Sequence, residues 1–188
     1  MSAAKTGDAS RLDQFLAFSA EVTAFGVVEL QGTGQAEAYL QTVDDVVGAA
    51  LVDELLVLHA KAPRATGNEG RAARGAHLRR TIFGDGKLGP VARNIVKLWY
   101  SGVWYELPGA WTETYGPAPQ DVTFVVSPSS YVEGLLWTAI GAHPAGAKAP
   151  GYGSWAAPPR IPRFADDPVS PPSAEPVDGT VDAERVPA

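Results

Sequence analysis

The sequence predicts an all-α protein: a single compact helical domain, followed by a long irregular Gly/Pro-rich arm and a disordered acidic tail. Three observations predict this. Apolar residues recur at helical spacing through most of the chain before His143. Ten of the sixteen prolines lie from Pro144 onward, where they favour extended and turn backbone. From Ala165 to Ala188 there are six acids (Asp166, Asp167, Glu175, Asp178, Asp182 and Glu184) against one base, Arg185. The tail therefore holds five of the six net negative charges and leaves the body nearly neutral. At 188 residues and 45% hydrophobic content, one domain with a proper core fits. The expected boundaries are a flexible leader over 1–9, a helical domain over 10–164 that includes an arm over 143–159, and the tail over 165–188.

Taken in order, Ser10 is a plausible N-cap with Asp13 behind it. Leu12, Phe15, Leu16, Ser19, Val22 and Thr23 follow at helical spacing, and Gly26 ends that helix. A second helix starts after Thr33–Gly34. Tyr39, Leu40, Val43, Val46, Val47, Ala50, Leu51, Leu55 and Leu58 make one broad apolar stripe, which Gly48 splits in two. Lys61–Gly75 is a polar, partly basic connection. Its Glu69–Arg80 portion reads as a helix with a solvated positive face in preference to a binding patch. Pro90 suits a first helical turn. Val91, Ile95, Leu98, Trp99 and Gly102 continue it, with Pro108–Gly109 as the stop. Val122–Val126 reads as a short strand without an evident partner. Ser130 and Glu133 match a capping box before a helix over Tyr131–Ala142, with Val132, Leu135, Leu136, Ala139 and Ile140 on its buried side.

The composition excludes several classes of function. A net charge of −6 opposes nucleic acid as a main partner, because phosphate binding needs a basic face. With no cysteine there are no disulfides, thiolate metal sites or cysteine nucleophiles. The longest apolar stretch, Val46–Leu58, is interrupted by Gly48, Asp53 and Glu54, so no membrane span is expected. The opening MSAAKTGDASRLDQF has neither a hydrophobic region nor twin arginines, so no signal peptide is expected.

Chemistry-bearing motifs are sparse. GDGKLG at Gly84–Gly89 matches G-x-G-x-x-G, but HLRRTIF precedes it where a dinucleotide site needs a buried strand. GYGSWA at Gly151–Ala156 is followed by Pro158–Pro159 and no helix. Both read as turns. His59, His77 and His143 show no i, i+3 or i, i+4 pairing for a metal. No G-x-S-x-G elbow occurs, and Asp44–Asp45 reads as a solvated face. His143, in GAHPAGAKAPG, is the most suggestive of the three histidines. It reads either as a turn histidine bonding backbone at a helix C-terminus or as the base of an independent small enzyme.

What remains is aromatic. All five tryptophans fall between Trp99 and Trp155, in the strings IVKLWYSGVWYELPGAW and SSYVEGLLWTAIGAHPAGAKAPGYGSWAAPP. Trp and Tyr are enriched among interface anchors. Trp99, Trp104 and Trp137 lie on helix-like stretches and read as core. Trp111 and Trp155, flanked by Gly and Pro, read as surface. Trp104, Trp111, His143, Tyr152 and Trp155 form the candidate partner-binding set, with Trp104 belonging to both readings. A general helical interaction module would satisfy the same pattern.

AFSAEVTAFGVVELQGTGQAEAYL, LWYSGVWYELPGAW and YVEGLLWTAIGAHPAGAKAPGYGSWAAPP together resemble the small subunit of FAD-dependent sorbitol, fructose and glucose dehydrogenase complexes, over roughly residues 12–160. The resemblance includes the S-x-x-x-T-x-F pattern (Ser19, Thr23, Phe25), the GTG turn at Gly32–Gly34, the W-Y-x-G-x-W segment and the GAHP…PGYGSW arm. It implies a non-catalytic subunit with no cofactor of its own. The partner would be a large subunit of the glucose–methanol–choline type that holds FAD, often with a cytochrome c subunit as electron acceptor. The small subunit would help the large one mature. It also implies a periplasmic or membrane-associated location. The chain departs from the pattern in having no twin-arginine leader, which keeps a cytoplasmic location open, and no cysteine, which excludes a disulfide tie to a partner.

Overall fold

A computed structural model of the protein describes residues 4–144 and 147. The arm beyond Pro144, with Tyr152 and Trp155, and the tail over 165–188 lie outside the described residues.

The described protein is predominantly helical, as the apolar periodicity requires. The elements are α1 (Ala4–Thr23), α2 (Val27–Gly32), α3 (Ala36–Val47), α4 (Ala49–Ala60) and α5 (Gly67–Leu78), which runs on into a π-helical turn (Arg79–Phe83). Then come α6 (Leu88–Ser101), β1 (Val103–Trp104), α7 (Gly109–Tyr115), β2 (Phe124–Val125), α8 (Pro128–Val132) and α9 (Leu135–Ala139). The strand expected over Val122–Val126 has a partner: β1 and β2 pair antiparallel, Val103 opposite Val125 and Trp104 opposite Phe124.

Helix α6 is the centre, packing against α1, α3, α4, α9, β1 and the π-helical turn. Its spacing explains this position. Leu88, Val91, Ala92, Ile95, Leu98 and Trp99 are all buried, while Arg93 and Lys97 fall on the other side. Trp99 stacks on Phe15 of α1 with ring centroids 6.3 Å apart and meets the edge of Tyr39 of α3 at 4.9 Å. Burial raises the pKa of the Tyr39 phenol, which keeps it neutral. Arg11 ties α1 to α3 and α4 through Asp44 and Asp53. Those two carboxylates, Asp44 foremost, hold its guanidinium more firmly protonated than usual.

Several expectations need correction. Helix α1 begins at Ala4, so Ser10 lies inside a helix and does not cap one. Nothing upstream of Ser10 forces a break, and alanine propagates helices well. The same helix stops at Thr23, three residues before Gly26. The Thr23 hydroxyl donates to the Ser19 carbonyl and its oxygen accepts from the Phe25 amide. The Ser-Thr-Phe pattern thus builds a helix end. Gly26 instead opens α2, where its amide donates to Glu29 Oε2 at 2.7 Å. Gly48 does divide the long stripe, at φ 86°, a conformation open to glycine. The helix expected over Tyr131–Ala142 is two five-residue helices broken at Gly134. Its cap is Ser127, whose hydroxyl accepts from the Ser130 amide, with Pro128 in the first turn. Glu133 lies beyond α8.

GDGKLG is a turn. Asp85 Oδ1 accepts from the amides of Lys87 and Leu88, at 2.8 Å each. This satisfies two of the donors that a helix start leaves unpaired, so α6 is capped from within the motif.

Candidate functional site

The aromatic strings divide between core and surface in a way that spacing did not predict. Trp104, a candidate anchor, is 0% exposed. It is not helical: α6 ends at Gly102, and the reversed chain places Trp104 in β1. Its indole N–H donates to Asp121 Oδ1 at 2.8 Å, and the Asp121 carboxylate also accepts from the Leu107 amide at 3.0 Å. Trp111 is 6% exposed and donates to the Lys87 carbonyl at 2.8 Å. Pro108 and Gly109 bring α7 back onto the body, and the indole is used to hold it there. Neither tryptophan presents a surface to a partner, so both leave the candidate set.

The exposed apolar surface lies on α8 and α9. Tyr131, Leu136 and Ile140 are 45%, 41% and 43% exposed. The latter two had been expected to face inward. The reason is the break at Gly134. A Cβ there would sit 2.7 Å from the Tyr100 carbonyl, so the corner is pressed against the end of α6. This close contact turns Leu135 and Ala139 inward, leaving Leu136 and Ile140 one turn apart on the outer face. Trp137, expected in the core, is half-buried. Its ring meets Tyr131 edge-on at 5.4 Å, and its N–H donates to the Tyr131 carbonyl at 2.8 Å. The indole is therefore held in place by contacts within its own segment.

Beside this face runs a cleft of about 410 Å³ between the end of α2 and α8–α9, with Phe25, Thr33, Val132, Leu135, Trp137 and His143 in its walls. Gly141, at φ 66°, closes α9. Its amide donates to the Thr138 carbonyl and the Ala142 amide to that of Trp137, the paired bonds of a Schellman end. This sets His143 at the cleft, two residues past Gly141 and four past the end of α9. Of the five candidates, His143 is the one the described structure places on this surface. Sequence reasoning missed Tyr131, Leu136 and Ile140. The available signal was the pair Gly134 and Gly141, which cuts the run too short for one continuous buried face.

The strongest cluster of ionisable groups lies elsewhere and is a clamp. Arg74 Nε and Nη2 donate to the two Glu21 oxygens at 2.6 Å each, and His59 Nε2 lies 2.7 Å from Glu21 Oε2. With that nitrogen donating to the carboxylate, the 3.0 Å approach of Arg74 Nη2 is packing and not a second hydrogen bond. Burial pushes the Glu21 pKa up, but the bonds from His59 and Arg74 outweigh it and lower it to about 2. A carboxylate so lowered, with both oxygens engaged, is a poor base. It pins α1 to α4 and α5. Because the folded pKa lies below the ordinary value of 4.5, this contribution to stability is fully present above about pH 4.5. It is lost as pH falls toward about 2. Glu21→Gln should therefore cost about 1–3 kcal/mol at pH 7. In paired urea titrations, the gap between the two proteins should close below pH 4.5. A gap that is constant between pH 7 and pH 3 would show that the clamp is not electrostatic.

Among the described residues no group of three or more His, Asp or Glu side chains is placed to hold a metal ion. No described helix is long and apolar enough to cross a membrane. No protein-family model matches the chain, and neither does any curated protein or solved structure.

Proposed function

We propose that this protein is a non-catalytic accessory subunit that binds and stabilises a larger FAD-dependent sugar or alcohol dehydrogenase subunit of the glucose–methanol–choline type. The supporting observation is the α8–α9 face, where Tyr131, Leu136 and Ile140 stand exposed around an indole already fixed by its own hydrogen bond. Exposed apolar side chains grouped on one short segment are what a docking surface requires. The resemblance of the sequence strings to dehydrogenase small subunits supplies the class of partner. In this reading Tyr152 and Trp155 are further anchors, FAD belongs to the partner, and a cytochrome c subunit would take its electrons. The same resemblance makes the complex periplasmic or membrane-associated.

Purification of the tagged chain from its native cells should yield a co-eluting yellow flavoprotein, identified by its visible spectrum and by mass spectrometry. Leu136→Glu and Ile140→Glu together should weaken capture of that flavoprotein by at least about ten-fold, as loss of interface anchors does. The melting temperature should hold, because both side chains are exposed. Undiminished capture by this double variant, or no flavoprotein at all, would remove the reading.

A further inference from the structure

A second concavity, of about 700 Å³, lies between the C-terminal end of α1 and the face of α5, and Phe25 lines both it and the His143 cleft. Its floor is apolar: Ala20, Val22, Phe25, Leu78 and Phe83. Its rim is cationic, with Arg71, Arg74 and Arg79. Arg74 is consumed by Glu21 and by the Ala62 and Pro63 carbonyls. Arg71 and Arg79 make no ion pair with a carboxylate among the described residues. Arg71 binds the Asn68 side-chain oxygen through Nη2, while its Nε is buried and has no hydrogen-bond partner among the described residues. A buried guanidinium donor left unpaired is costly.

The backbone sets these two cations together. Arg71 and Gly75 on α5 and Arg79, the first residue of the π-helical turn that continues it, succeed one another at four-residue spacing and so share one face. Gly75 lacks a side chain, and Arg79 Nη1 lies 3.4 Å from where its Cβ would stand. The Arg79 side chain thus folds back over Gly75, toward the turn that bears Arg71. The π-helical turn Arg79–Phe83 shifts the helix where Arg79 and Phe83 both line the groove, and such turns recur at binding sites.

We propose that this groove binds an organic monocarboxylate with an apolar body, its head on Arg71 and Arg79 and its chain along Phe25, Leu78 and Phe83. A guanidinium matches a carboxylate in shape and charge. Glu21 also lines the groove, but both its oxygens are held by Arg74 and His59, so it does not compete with the ligand's carboxylate for Arg71 and Arg79. A pocket of this volume, mostly apolar with a few convergent polar groups, has the build of a small-molecule site.

The test is isothermal titration of the full chain with decanoate, decanol, acetate and decyl phosphate, and with a peptide of residues 165–188. Decanoate should bind saturably at one site, more tightly than each of the other four. Arg71→Gln and Arg79→Gln should each weaken decanoate at least about ten-fold, the effect of a lost charge-assisted bond. Arg79 is exposed, so that variant keeps the fold and its melting temperature. Decanol binding as tightly as decanoate would show that the arginines do not read a head group. Tighter binding of decyl phosphate would refute the carboxylate assignment. Tighter binding of the peptide would make the occupant an acidic polypeptide and overturn the proposal, as would decanoate binding unaffected by both substitutions.

Discussion

Gly102→Ala should destabilise the protein by about 2–5 kcal/mol, the sum of a left-handed backbone penalty and an overpacked contact. Two facts combine at this position. Gly102 ends α6 at φ 71°, ψ 13°, where an L side chain is strained. A Cβ there would also stand 2.5 Å from both the carbonyl carbon and the carbonyl oxygen of Ser130. The obstacle is backbone and cannot rotate away. It is fixed further because the Gly102 carbonyl accepts from the Val126 amide at 3.0 Å and from the Ser130 hydroxyl at 3.1 Å. Gly34→Ala provides the control. Its φ is 67° but nothing lies within 4 Å of the added Cβ, so it should cost only the backbone share, about 1–2 kcal/mol. Urea denaturation of both variants separates the terms. Equal losses would mean that the Ser130 contact yields, and the corner between α6 and α8 would then be softer than its geometry indicates.

Trp104→Ala should cost about 3–5 kcal/mol, the range for removing a large buried aromatic. Two effects act together. The indole is fully buried, so its loss leaves a cavity beside β1. It also donates to Asp121, which is 7% exposed and would keep only the Leu107 amide as a partner. Trp104→Phe separates them: most of the ring volume stays while the donor goes, for an expected loss of about 1–3 kcal/mol. Both variants should leave capture of a flavoprotein partner intact at temperatures where they are folded. Loss of capture by folded Trp104→Phe would restore this residue to the docking surface.

These two positions show how the fluent part of the sequence misleads. The segment W-Y-x-G-x-W reads as the continuation of one helix that stops only at Pro108–Gly109, whereas α6 ends at Gly102. In the fold, Trp99 fills the centre, Gly102 reverses the chain and Trp104 returns to the same core. Tyr100 donates to the Thr23 carbonyl at 2.9 Å, tying the end of α6 to the end of α1. The dense spacing serves closure of the domain.

The all-α class, the split at Gly48, the apolar faces of α3 and α6, and the nature of GDGKLG as a turn were all legible in the chain. Each depends on neighbours within one or two turns: periodic apolar stripes, a glycine with positive φ, an aspartate reaching amides two and three residues on. Which side of α8–α9 faces outward was settled by the approach of Gly134 to Tyr100. Whether Trp104 and Trp111 were anchors or core was settled by Asp121 and the Lys87 carbonyl, 17 and 24 residues away. The convergence of Glu21, His59 and Arg74 required three helices to meet. Periodicity reports which residues share a face. It does not report which face finds a partner, because that is set by contacts between segments whose separation along the chain carries no local signal. In helices of five residues, such as α8 and α9, a single tight contact decides which side chains are left to water.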